Sequence, residues 1–322
     1  MSIKFGDVNN SLMGMAIQSD DKIVVAGAGL GGGSGQLVRL DSDGSFDSTF
    51  GNNGFVALFP ATPGPLVIQP NGQIVLVGTG LVRGVGGPEM QRFNSNGQLD
   101  TTFGKGGSVA LVFGGSAIAL QNDGKFLITS SGFGFGSGTL VRYNSDGSLD
   151  TGFGISGQES TLAAPGLATE FDVPGVFVGQ IVTAGSITTK ASLSGNASGF
   201  ALMRFDANGD IDATFGTRGG VVTSFPRLPV AAAGTIVTQP NGDIVAGGSA
   251  GSSVGRASFA LARYLKTGKL DTTFGIGGLV TTSFGSNTTA VINALALQTD
   301  GKIVTAGTNG AGDLVVARYL GQ

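Results

Sequence analysis

The sequence predicts an all-β chain built from repeated four-stranded sheets, and three observations carry that expectation. The 322 residues include 59 Gly and only 12% charged residues, a composition suited to many short strands joined by turns. One segment recurs along the chain, as in "ALQNDGKFLITS" from Ala119 and "ALQTDGKIVTAG" from Ala296. A second, exemplified by "RYNSDGSLDTGFG" at residues 142–154, recurs with its Arg, Asp and Phe at fixed spacing.

Each copy reads as four strands with period-2 alternation. The first is an inner strand ending in Gln, as in "AIQ" from Ala16 and "VIQ" from Val67. The second follows a "PNG", "NDG" or "TDG" turn, where Gly, Asn and Asp tolerate the positive φ of a tight hairpin. The third ends in Arg followed by an aromatic residue or Leu, and the fourth resembles "LVTTSF". A sixth, worn copy begins with "FVGQIVTAG" at Phe177. The motif phenylalanines Phe50, Phe103, Phe153, Phe215 and Phe274 are 53, 50, 62 and 59 residues apart. A four-stranded unit of that length repeated six times predicts a six-bladed β-propeller with four antiparallel strands per blade. The predicted blades span 14–59, 65–114, 116–163, 164–225, 230–284 and 290–321, the last completed by residues 2–8, because "IKFG" at Ile3 resembles the fourth strand of a copy. The whole chain, 1–322, is thus expected to be one propeller closed by its N-terminal strand.

The unit "Q-x-D-G-K-I-V-x-A-G … R-[YF] … G-x-L-D-x-x-F-G" resembles the delta-60 repeat of bacterial β-propeller proteins of undefined function. That resemblance implies a propeller, often secreted or at the cell surface, and supplies no catalytic residues. The N-terminal "MSIKFGDVNN" lacks the apolar stretch of a signal peptide, so the expected extracellular or cell-surface location rests on the resemblance alone.

The pairs Arg39 and Asp47, Arg92 and Asp100, Arg142 and Asp150, Arg204 and Asp212, and Arg263 and Asp271 are each eight residues apart across a Gly turn. A group present in every blade serves the blade, since a single site needs its chemistry once. These pairs are therefore read as structural, with each following Phe buried between blades. The turns "DSDGSFD", "NSDGSLD" and "DANGDID" also gather oxygens as a calcium loop does, so Ca²⁺ is the alternative to a chain with no cofactor.

Function is expected on the loops that differ between copies. Arg83, Glu89, Lys190 and Arg256 form a charged rim there, Phe133 and Phe135 are aromatic contacts, and Glu170 with Asp172 is the acid pair nearest an axial position. There is neither His nor Cys, which excludes Ser-His and Cys nucleophiles and His-ligated zinc. Net charge is −3 with no basic cluster, which argues against nucleic acid, and every apolar run is too short to span a membrane. The reading that follows is a non-catalytic scaffold binding a protein or cell-surface ligand through variable loops. One alternative is a metal-dependent hydrolase or lyase with a carboxylate site at the axial channel, and a second is a carbohydrate-binding propeller.

Overall fold

Alternating apolar residues and Gly-centred turns give this chain strands and no helix in its computed structural model, among the residues it describes: 10–29, 35–58, 62–82, 85–131, 138–161, 173–177, 179–189, 197–253, 255–285, 289–310 and 313–321. The first sheet orders β1 (Asn10–Ile17), β2 (Ile23–Gly29), β3 (Gly35–Leu40) and β4 (Phe55–Leu58) in sequence. The second repeats that order with β5 (Thr62–Ile68), β6 (Ile74–Val82), β7 (Val85–Phe93) and β8 (Ser108–Ala110). The third holds β9 (Ala117–Leu120), β10 (Phe126–Ser131), β11 (Gly138–Tyr143) and β12 (Gln158–Ser160). The fourth holds β13 (Val173–Phe177), β14 (Gln180–Thr189), β15 (Ala197–Phe205) and β16 (Gly220–Thr223). The fifth holds β17 (Val230–Thr238), β18 (Ile244–Ser253), β19 (Arg256–Tyr264) and β20 (Leu279–Thr282). The sixth has three strands among the described residues, β21 (Val291–Leu297), β22 (Ile303–Thr308) and β23 (Leu314–Tyr319). The fold is a six-bladed β-propeller. Residues 2–8, expected to complete the last blade, lie outside the described residues.

The chain divides into two compact units, Met1–Ser130 with Val141–Thr151 and Ser131–Leu140 with Gly152–Gln322. In each unit the first strands of successive sheets are neighbours, β1 beside β5 beside β9 in one and β13 beside β17 beside β21 in the other. The core lies between sheets. Val24, Leu37 and Phe50 of the first pack with Leu66, Ile74 and Phe93 of the second, while Ile244, Ala262 and Tyr264 of the fifth pack with Val182, Leu202 and Phe215 of the fourth.

Register places the repeated Arg in one environment. Arg39 stands opposite Val24, Arg92 opposite Val75, Arg204 opposite Val182 and Arg263 opposite Val245. Three stretches whose Gly and Ser suggest variable loops, 80–89, 186–199 and 251–258, carry paired strands as far as they are described. In 80–89, β6 and β7 pair from Ile74↔Phe93 to Val82↔Val85. In 186–199, β14 and β15 pair as far as Thr189↔Ala197, and in 251–258, β18 and β19 pair as far as Ser253↔Arg256. Gly and Ser in these stretches suggest loops from sequence, but backbone hydrogen bonds of a long hairpin need no side chain.

Candidate functional site

The repeated residues form one station per blade. Arg39, Arg92, Arg142, Arg204 and Arg263 each donate from Nε to Oδ2 of the Asp eight residues on, at 2.7–2.9 Å. Oδ1 of Asp47, Asp100, Asp212 and Asp271 accepts both the N–H and the hydroxyl of the Thr two residues later. The Arg then reaches out of its own blade. Nη1 of Arg39, Arg92, Arg204 and Arg263 donates to the carbonyls of Ser95, Ser145, Lys266 and Gly321 respectively, each in the next sheet's turn or tail. The same four guanidiniums lie 4.5–4.7 Å from the ring centres of Phe50, Phe103, Phe215 and Phe274, which are almost completely buried. Tyrosines tie backwards: Tyr264 and Tyr319 donate to Thr223 and Thr282 of the preceding sheets at 2.8 Å, and the Tyr143 hydroxyl accepts from the Val112 N–H at 3.3 Å. The Asp and Thr bonds fix the Arg within its blade, and the carbonyl and tyrosine bonds fasten blade to blade.

The fastening also accounts for the Asp-rich turns. Asp43 Oδ1 accepts from the Ser45 N–H and hydroxyl, Asp146 Oδ1 does the same for Ser148, and Asp206 Oδ1 accepts from the Asn208 and Asp210 N–H groups. Among the described residues no group of three or more acids gathers at one place.

Chemistry that occurs once is more informative. At the position three residues before the repeated Arg, five sheets carry Gln36, Thr139, Ala201, Ala260 and Val315, whereas the second carries Glu89. Sequence reading placed Glu89 on a solvated rim; the structure corrects this. It lies within β7 opposite Gly78 and Ala110, and is 3% exposed. Its carboxylate sits over the α-carbon of Gly80, where any side chain would collide with Oε1. It accepts from Gln91 Nε2 at 3.1 Å, with the Ser108 hydroxyl nearby. Burial pushes its pKa upward, with the nearby Ser108 hydroxyl acting the other way.

Ser108 also lines an open groove of about 760 Å³ in the first unit. Its walls include Gly86, Gly87 and Pro88 from β7, Lys105 and Ser108 from the turn into β8, and Asp146 from the turn after β11. Sequence reasoning missed Lys105 and Ser108, and read Asp146 only within an Asp-rich turn weighed for Ca²⁺. A signal was present for Lys105, since the matching turn position elsewhere holds Asn52, Ile155, Thr217 or Ile276. Of the other expected site residues, Arg256 opens β19 and is exposed. Arg83, Phe133, Phe135, Glu170, Asp172 and Lys190 lie outside the described residues.

A family described as "Domain of unknown function (DUF5122) beta-propeller" matches residues 18–50, 69–103, 121–153, 179–215 and 239–274. No curated protein matches the chain. Among solved structures, a Penicillium chrysogenum α-L-arabinanase complexed with arabinobiose is similar at TM-score 0.56 and 10% identity, covering 96% of this chain and 92% of that one. The β-propeller domain of the trilobed protease from Pyrococcus furiosus is similar at TM-score 0.50 and 11% identity, covering 97% and 83%. A polysaccharide lyase is similar at TM-score 0.48 and 11% identity, covering 95% and 80%. The expected non-catalytic scaffold is corrected here in favour of its alternative: a fold matching almost this whole chain occurs in an arabinanase, so the propeller itself is no argument against catalysis. That expectation leaned on the absence of His and Cys, and carboxyl chemistry on glycans needs neither.

Proposed function

The chain belongs to the DUF5122 β-propeller family, and from that premise we propose that it is a carbohydrate-active enzyme cleaving a glycan by carboxyl chemistry. The observation that carries this reading is Glu89, an acid that interrupts the repeat once, is buried over a glycine that leaves it room, and stands beside Ser108, a residue of an open groove. Glycoside cleavage needs a carboxyl that keeps its proton towards neutral pH so that it can protonate the leaving oxygen, and desolvation is how a protein arranges that. Ser108 is common to the surroundings of the buried acid and to the wall of the groove. The likeness to an arabinanase solved with arabinobiose supports a glycan as the first ligand to try. A delta-60 repeat type and export to the cell surface belong to the same proposal.

The experiment is an assay of the full chain against arabinan and a panel of other polysaccharides, following new reducing ends and unsaturated products. Cleavage that falls by about 100-fold or more in Glu89→Gln supports the reading. Cleavage unchanged in that variant removes Glu89 from the chemistry. No cleavage of any glycan overturns the enzyme reading; if a glycan nonetheless binds, the hydroxyl-lined groove favours carbohydrate binding without cleavage.

A further inference from the structure

The groove holds an exposed cation, Lys105; Lys105, Lys266 and Lys269, the last two in the fifth sheet, form no ion pair among the described residues, and Lys105 is the one of the three that lines this groove. Lys22, Lys125 and Lys302 each sit on an Asp, at 2.8–3.0 Å for the first and 2.9 Å for the second. Lys105 makes no ion pair among the described residues. Its backbone is nonetheless fixed. Lys105 N donates to the Ser108 carbonyl at 2.8 Å, Gly107 N to Phe103 at 2.9 Å, and Gly104 N to Asp146 at 3.2 Å, so the ammonium extends from a turn pinned at both ends and beside the acid. Asp146 accepts through Oδ1 from Ser148. Its Oδ2 accepts no hydrogen bond among the described residues. Gly86 and Gly87 leave a stretch of wall without side chains, followed by the apolar ring of Pro88.

We infer that this groove is a subsite for a uronate-containing saccharide. Lys105 pairs with the sugar carboxylate, Asp146 Oδ2 accepts from ring hydroxyls, and the face of the ring lies along Gly86, Gly87 and Pro88. A neutral saccharide would use the acid and the apolar strip while leaving the ammonium unpaired. A simple anion would be repelled by Asp146 and would leave the strip empty. A uronate meets all three elements at once. The inference rests on the carbohydrate reading and names its substrate class.

Its test is a binding measurement, so it does not depend on cleavage or on Glu89. The full chain is titrated calorimetrically with a short oligogalacturonate and with a neutral arabino-oligosaccharide of equal length. The oligogalacturonate should bind, weaken about tenfold or more in Lys105→Ala, and recover in Lys105→Arg. The neutral sugar should be indifferent to both substitutions. Equal binding of the two sugars, an unchanged affinity in Lys105→Ala, or no binding of the oligogalacturonate would each overturn the subsite. Lys105 is exposed, so its substitution leaves the folded chain available for measurement. Loss of cleavage in Glu89→Gln with oligogalacturonate binding intact separates this inference from the proposed chemistry.

Discussion

Arg263 shows how one side chain fastens two sheets. Its Nε and Nη2 hold Asp271, Nη2 also reaches Thr273, and Nη1 holds the carbonyl of Gly321, while the guanidinium covers Phe274. Its side chain is 6% exposed and that of Asp271 is 10% exposed, so removing the Arg strands a buried carboxylate. Arg263→Ala should therefore cost about 3–5 kcal/mol in urea unfolding. Arg263→Lys should recover only part of that loss, because an ammonium cannot direct donors in a planar fork to the carboxylate and the carbonyl together. A Lys variant as stable as the wild type would show that the fork geometry contributes nothing. The eight-residue spacing makes the Arg to Asp pair legible in sequence. The carbonyl 58 residues away was not legible, because a backbone acceptor carries no residue type. Glu89 was found by composition of its segment and misplaced in depth, since Gly80, which makes room for it, reads from sequence only as a loop glycine.

At the scale of the element, the turns explain why the blades sit so close together. Gly268 adopts φ +84°, and a methyl group there would lie 2.9 Å from the Gly216 nitrogen and 3.0 Å from a ring carbon of Phe215. Gly44 occupies the matching turn of the first sheet at φ +88°, yet a methyl there would meet nothing within 4 Å. The pair separates two effects that a single substitution mixes. Gly44→Ala should cost only the left-handed strain of an L residue, about 1–2 kcal/mol. Gly268→Ala adds a collision with backbone and a buried ring, and should lower the melting temperature distinctly further. Equal losses would mean that the seam between the fourth and fifth sheets yields without penalty. Sequence reading identified both glycines as turn formers, which is correct for φ. It could not distinguish the open turn from the packed one, because that depends on a neighbour contributed by another repeat.

At the scale of the molecule, repetition makes acid a shared stress. Hydrogen bonds from Thr102 and Thr273 are the largest influences holding Asp100 and Asp271 below the usual carboxylate range, with Arg92 and Arg263 adding to them. For Asp47 and Asp212 burial pushes upward, but the bonds from Lys22, Thr49 and Arg39, and from Thr214 and Arg204, outweigh it. A carboxylate whose folded pKa is depressed contributes stability that is present above its unfolded value, about 4, and is lost as pH falls through the folded value. Each such group can change stability by at most about 1.4 kcal/mol per pH unit. The four act in the same direction, so their losses accumulate as pH falls. Glu89 runs the other way: its folded pKa is raised, so its contribution is fully present below its unfolded value and declines as pH rises through and above it. Unfolding measured across pH should therefore be flat near neutrality and steepen below about pH 4. Asp271→Asn should reduce that steepness while lowering stability at pH 7, and Glu89→Gln should raise stability at neutral pH and leave the acid limb unchanged. An acid limb unaltered by Asp271→Asn would mean that the stations are not what holds the blades together as protons are added.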